Sequence, residues 1–169
     1  MNDNIVLIGF MGCGKTTIGI RLSYYMRHSF LDTDKVIERE QGKEISQIFA
    51  EEGEAYFREL ERQTVIKLAE TESDKIIATG GGLPVQPGNA ALLKKLGRVV
   101  YLKVSPETVY ERLKDDTKRP LLQGGDACAR IRELMAARAS AYEAVADVTV
   151  STDGKDFEEI LAEIEEKIR

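Results

Sequence analysis

The sequence predicts an α/β fold: a five-stranded parallel sheet with helices on both faces. Three observations predict it. Five short apolar runs recur along the chain, the segments between them carry helical periodicity, and no internal repeat, linker or block of like charge interrupts the alternation. A chain of 169 residues, 43% hydrophobic and 31% charged, has the size and composition of one domain that buries its own core.

The elements follow in order. Ile5-Val6-Leu7-Ile8 is a fully apolar run, as a central strand requires, and a helix follows from about Lys15 to Met26. Phe30-Leu31 is the second strand, with helices from there through about Leu68. Ile76-Ile77-Ala78 precedes a helix around Ala90–Leu96, and Val99-Val100-Tyr101-Leu102 precedes one from about Pro106 to Lys114. A longer helix runs from about Ala127 to Ala144. The strand Val148-Thr149-Val150 follows it, and then a helix that sets Phe157, Ile160, Leu161, Ile164 and Ile168 on one face.

Composition excludes several function classes. Lys and Arg total 24 against 29 Asp and Glu, so a net charge of −5 gives no overall field for nucleic acid. No run approaches the roughly 18–20 apolar residues of a membrane helix. The start of the chain has no basic region before its first apolar run, so no secretory leader is expected. Cys13 and Cys128 are too few for a disulfide framework, and a reducing, cytoplasmic setting is expected. Any anionic ligand must be met by local cations and backbone amides.

In such a sheet, ligands sit beyond the carboxyl ends of the strands. The first strand is followed by Gly9-Phe10-Met11-Gly12-Cys13-Gly14-Lys15-Thr16, which fits G-x-x-x-x-G-K-[ST] between strand and helix. Its glycines let N–H groups and the helix N-terminus wrap a phosphate. Lys15 should reach the β and γ phosphates, and the Thr16 hydroxyl should ligate Mg²⁺. Cys13 reads as a small filler of the loop. The second strand ends in Asp32-Thr33-Asp34, two carboxylates on the same side of an extended chain, one for the metal and one for an acceptor hydroxyl. Asp34 could also cap a helix starting near Lys35. The third strand ends in Thr79-Gly80-Gly81-Gly82, where three missing Cβ atoms permit close approach of backbone to ligand. Thr79 stands where many phosphate-loop proteins carry a metal-linked Asp, which puts the metal role on Asp32.

The arginines carry the rest. Arg138 lies on the stripe Ile131, Leu134, Met135, Tyr142, where a cation needs an internal carboxylate or a pocket that receives one. Arg58 precedes Glu61 by one turn, a spacing at which the glutamate can orient it. Together they suggest recognition of a small carboxylate. The segment from Asp115 to Asp126 suits a lid, with Arg119 placed to stabilise transferring charge. His28 reads as solvent-facing.

The phosphate loop Gly9–Thr17, Asp32-Thr33-Asp34, Gly53-Glu54 with Phe57-Arg58 and Glu61, Thr79–Gly82, Lys118-Arg119-Pro120-Leu121-Leu122 and Arg138-x-x-x-Tyr142 together resemble the shikimate kinase family over nearly the whole chain. The resemblance implies a three-layer α/β/α P-loop kinase fold, five parallel strands in order 2-3-1-4-5, with a lid at about 115–126 and shikimate-binding helices at about 33–62. It implies ATP-dependent phosphorylation of the shikimate 3-hydroxyl in aromatic amino acid biosynthesis, by a cytoplasmic monomer. Gly12, Cys13, Gly14, Lys15, Thr16 and Thr17 would hold ATP, and Thr16 with Asp32 would serve Mg²⁺. Lys15, Asp34 and Arg119 would be catalytic. Asp34, Arg58, Gly80, Gly81, Gly82 and Arg138 would bind shikimate, and Arg112 would face the adenine. Ser151–Lys155 corresponds to the family's adenine loop but lacks its proline, with Lys155 as the nucleotide contact. Two other readings use many of the same residues: a kinase for another small polyol acid such as gluconate, and a nucleotide-binding module without catalysis.

Overall fold

The computed structural model of the protein describes residues 3–115 and 126–169. Most of the expected lid segment, including Arg119, lies outside the described residues. Among those described, the strands are β1 (Ile5–Ile8), β2 (Ser29–Asp32), β3 (Lys75–Ala78), β4 (Arg98–Lys103) and β5 (Val148–Ser151). The helices are α1 (Lys15–Met26), α2 (Thr33–Gln41), α3 (Ile45–Glu52), α4 (Glu54–Thr71), α5 (Asn89–Leu96), α6 (Pro106–Leu113), α7 (Ala127–Val145) and α8 (Phe157–Ile168).

The sheet is parallel throughout and ordered β2-β3-β1-β4-β5, as the resemblance implies. Central position explains composition: all four residues of β1 are buried, packed from above and below by helices. Helix α1 meets α8, while α4 meets α5 and α5 meets α7, so both faces of the sheet are covered. Gly19 lets α1 approach the sheet, since a Cβ there would lie 2.5 Å from the Phe30 ring. Asn4 ties the lower edge together: its amide donates to the carbonyls of Glu72 and Leu96 and accepts from the Lys75 N–H.

The core divides. A large cluster built on β1, β3, β4 and the helices against them is separate from a small one of Ile37, Ile48 and Phe57, which joins α2, α3 and α4. Helix starts follow local chemistry: Ser105 caps α6 with Pro106 in its first turn, Asp126 caps α7, and Asp156 caps α8.

Three expectations need correction. Helix α2 begins at Thr33, so the chain is not extended from Asp32 to Asp34, and the cap is Asp32, whose Oδ1 accepts from the N–H groups of Asp34 and Lys35. Phe157 does not join Ile160, Leu161 and Ile164 in the core; it is 38% exposed, with the Arg21 guanidinium 4.1 Å from its ring centroid. His28 is half-buried, its Nδ1 2.9 Å from the Met26 carbonyl.

Candidate active site

The loop between β1 and α1 folds as the glycine spacing requires. Gly12 and Gly14 take φ of 78° and 98°, a left-handed conformation strained for other residues, and Gly14 caps α1 with no side chain in the way. Cys13 is 1% exposed and packs beneath the loop as a filler. The Lys15 ammonium donates to the carbonyls of Gly9 (2.6 Å) and Phe10 (3.1 Å), so it lies over the loop.

A cleft of about 300 Å³ opens from this loop and is lined by Gly12, Lys15, Thr16, Thr17, Asp32, Asp34 and the Thr79–Gly81 turn. It therefore gathers residues from the ends of β1, β2 and β3, where a parallel sheet places its ligands. Thr79 is buried and its hydroxyl donates to the Leu7 carbonyl, so it serves the sheet. With the cap engaging one oxygen of Asp32, a carboxylate oxygen and the Thr16 hydroxyl remain as hard donors in one cleft. That donor set fits Mg²⁺, which keeps waters and phosphate oxygens as its other ligands. No cluster of three His, Cys, Asp or Glu able to hold a metal occurs among the described residues.

Asp34 is the unusual group. Its Oδ1 is buried without a hydrogen-bond partner among the described residues. Burial pushes its carboxyl up to about 6, and the Asp32 charge adds to this, while Lys15 and Arg58 act in the opposite sense. A carboxylate poised near neutrality and facing a phosphate loop can take a proton from a hydroxyl.

The two arginines converge on the glycine turn. Arg58 Nη1 donates to Glu61 at 2.6 Å, and Glu61 is only 1% exposed. Burial pushes the Glu61 carboxyl up to about 7 despite that guanidinium. A Cβ at Gly82 would lie 2.6 Å from Arg58 Nη2, one at Gly80 would lie 3.0 Å from Asp34 Oδ1, and one at Gly81 would lie 3.5 Å from Arg138 Nη1. The three glycines thus make room first for the protein's own charged groups, a use the sequence did not reveal. Arg138 is half-buried, packs its guanidinium 5.6 Å from the Phe10 ring centroid, and has no carboxylate within ion-pair distance among the described residues. Of the two options for a cation on that stripe, the internal partner is absent there and the pocket remains.

Arg112 and Lys155 lie apart from this cluster. They line a second cleft with Gly12, Gly14, Thr17, Ile18, Thr152 and Phe157 on the other side of the loop. Arg112 donates to the Gly12 carbonyl at 2.8 Å, and Lys155 pairs with Glu163.

Four hydrogen bonds escaped the sequence reading. The Gly80 N–H donates to the Thr33 hydroxyl, the Tyr142 hydroxyl donates to the Gly81 carbonyl, and Asp153 accepts from the Ser105 N–H and the Thr108 hydroxyl, joining the loop after β5 to α6. Tyr142 was legible as part of Arg138-x-x-x-Tyr142, without its role.

The profile of the family described as shikimate kinase matches residues 11–169. A shikimate kinase from Moorella thermoacetica is 44% identical over all of this chain and 96% of its own. One from Caldanaerobacter subterraneus is 41% identical over 95% of this chain and 93% of its own. Among solved structures, shikimate kinase from Acinetobacter baumannii in complex with shikimate superposes with a TM-score of 0.91 at 37% identity, covering 99% of this chain and 93% of that one.

Proposed function

The chain belongs to the shikimate kinase family, and from that membership we propose how its clefts divide the work of the reaction. The activity is ATP- and Mg²⁺-dependent phosphorylation of the 3-hydroxyl of shikimate. Gly12, Cys13, Gly14, Lys15, Thr16 and Thr17 hold the triphosphate, and Arg112 and Lys155 hold the base in the neighbouring cleft. Thr16 and Asp32 hold Mg²⁺, which when bound neutralises charge on the β and γ phosphates. Arg58, kept in place by Glu61, and Arg138 clamp the shikimate carboxylate beside Gly80, Gly81 and Gly82. Asp34 accepts the proton of the 3-hydroxyl as that oxygen takes the γ-phosphoryl group and ADP leaves. By resemblance, Arg119 is the lid arginine that meets the transferring charge.

The observation that carries this reading is Asp34, whose buried Oδ1 has no partner among the described residues and lies in the cleft that also holds the phosphate loop. Its neighbours exclude a binding-only module: such a protein has no need of a base beside its phosphates. Two facing guanidiniums favour a carboxylic acid acceptor. We read the chain as one kinase domain with a lid at about 115–126, acting as a cytoplasmic monomer. No described helix is long and apolar enough to cross a membrane, and both cysteines are free. The test is coupled ADP release with ATP and either shikimate or gluconate. Turnover with shikimate alone is expected; turnover with gluconate, or with neither, overturns the reading.

A further inference from the structure

We propose that Tyr142 is a positioning residue for the acceptor: by holding the Gly81 carbonyl it turns the Gly82 N–H toward the carboxylate that Arg58 and Arg138 receive. The inference rests on the reading of those two arginines given above. Tyr142 is 1% exposed, and its hydroxyl donates to the Gly81 carbonyl oxygen at 2.6 Å across 61 residues of sequence. Burial pushes that hydroxyl up to about 12, so it remains a donor at neutral pH.

The peptide between Gly81 and Gly82 is trans and planar, which points its N–H opposite to its C=O. Pinning the carbonyl to α7 therefore fixes where the N–H of Gly82 aims. Gly82 is buried, yet neither its N–H nor that of Gly81 donates to any described group; within the turn only Leu83 N–H closes, on the Gly80 carbonyl. In a buried residue an N–H without a protein acceptor is uncommon, and it points to an acceptor that arrives with a ligand. The positions flanking it name that ligand's charge, since Arg58 borders Gly82 and Arg138 borders Gly81. Arg138 lies one turn before Tyr142 on the same helix face, so α7 delivers a cation and orients a peptide dipole at the same place.

An ordinary core tyrosine is the alternative, because the ring also packs 5.2 Å from that of Tyr101. Tyr142→Phe separates the two, as it keeps the ring and removes only the hydroxyl. The expected result is a shikimate KM raised about tenfold, the size of one lost hydrogen bond to a charged group, with kcat and the ATP KM within about twofold of wild type. An unchanged shikimate KM, or equal rises in both KM values with a lower Tm, overturns the proposal. A measurement on the wild-type protein needs no variant: the Gly82 amide proton should move downfield on adding shikimate and stay put with ADP alone. A Gly82 amide indifferent to shikimate also overturns it. Wild-type turnover with an unperturbed Tyr142→Phe sinks this inference alone, whereas wild-type inertness toward shikimate sinks the reading beneath it.

Discussion

Glu61 holds a carboxyl where ionisation is costly, and it does so one turn from the arginine it steers. Its carboxyl is raised to about 7 by burial, and that of Asp34 to about 6, so in the folded protein both keep protons that the unfolded chain releases near its ordinary value. Between about pH 4.5 and 7 the native state therefore binds more protons than the unfolded one, and stability falls as pH rises through that window. Glu61→Gln removes one of the two groups. The wild type should lose roughly 2–6 °C of Tm relative to Glu61→Gln between pH 5 and pH 8, read by calorimetry. Parallel curves would mean that Glu61 is ionised throughout. The sequence made the Arg58–Glu61 pair legible because helical spacing is local information. It did not make legible that Glu61 is buried, which depends on Gly80 in the turn after β3 and Asp34 on α2 arriving beside α4.

At the scale of elements, the join between β2 and α2 sets the chemistry. One residue decides it: helix starting at Thr33 makes Asp32 the cap and leaves the Asp34 Oδ1 without a hydrogen-bond partner among the described residues. Boundaries of this kind are hard to read from sequence, since Asp caps well at either position. The phosphate loop was easier, because its glycines and lysine are contiguous and their conformations are imposed locally. Asp32 now has two tasks that substitution can separate. Asn also caps helices well, so Asp32→Asn should leave Tm within about 1 °C while lowering turnover at limiting Mg²⁺ at least tenfold. Asp32→Ala should lose the metal task and also about 1 kcal/mol of cap, or roughly 2–4 °C of Tm. Normal turnover by Asp32→Asn at limiting Mg²⁺ would place the metal on other ligands.

Across the whole molecule, the phosphate end rests on the large core, while the acceptor end draws on both: α2 and the start of α4 on the small one, α7 and the glycine turn on the large one. The strand order and the alternation of elements were legible from apolar runs and from the resemblance, but the small cluster of Ile37, Ile48 and Phe57 was not, since its members lie on three helices with no shared period. A cluster this small opens more cheaply than the sheet beneath β1. Hydrogen exchange should find the amides of α2 and α3 opening at lower free energy than those of β1 and β4, with shikimate slowing α2 and α3 most. Uniform exchange across both would make the core one cooperative unit. Among the described residues only α4 enters both clusters, through Phe57 on one side and Val65 and Leu68 on the other. Packing changes in one cluster should thus add to those in the other with little coupling, except along α4. For sequence drift, this is a division of risk: the apolar positions of α2 and α3 can be exchanged among themselves without disturbing the packing beneath the sheet that carries the phosphate loop.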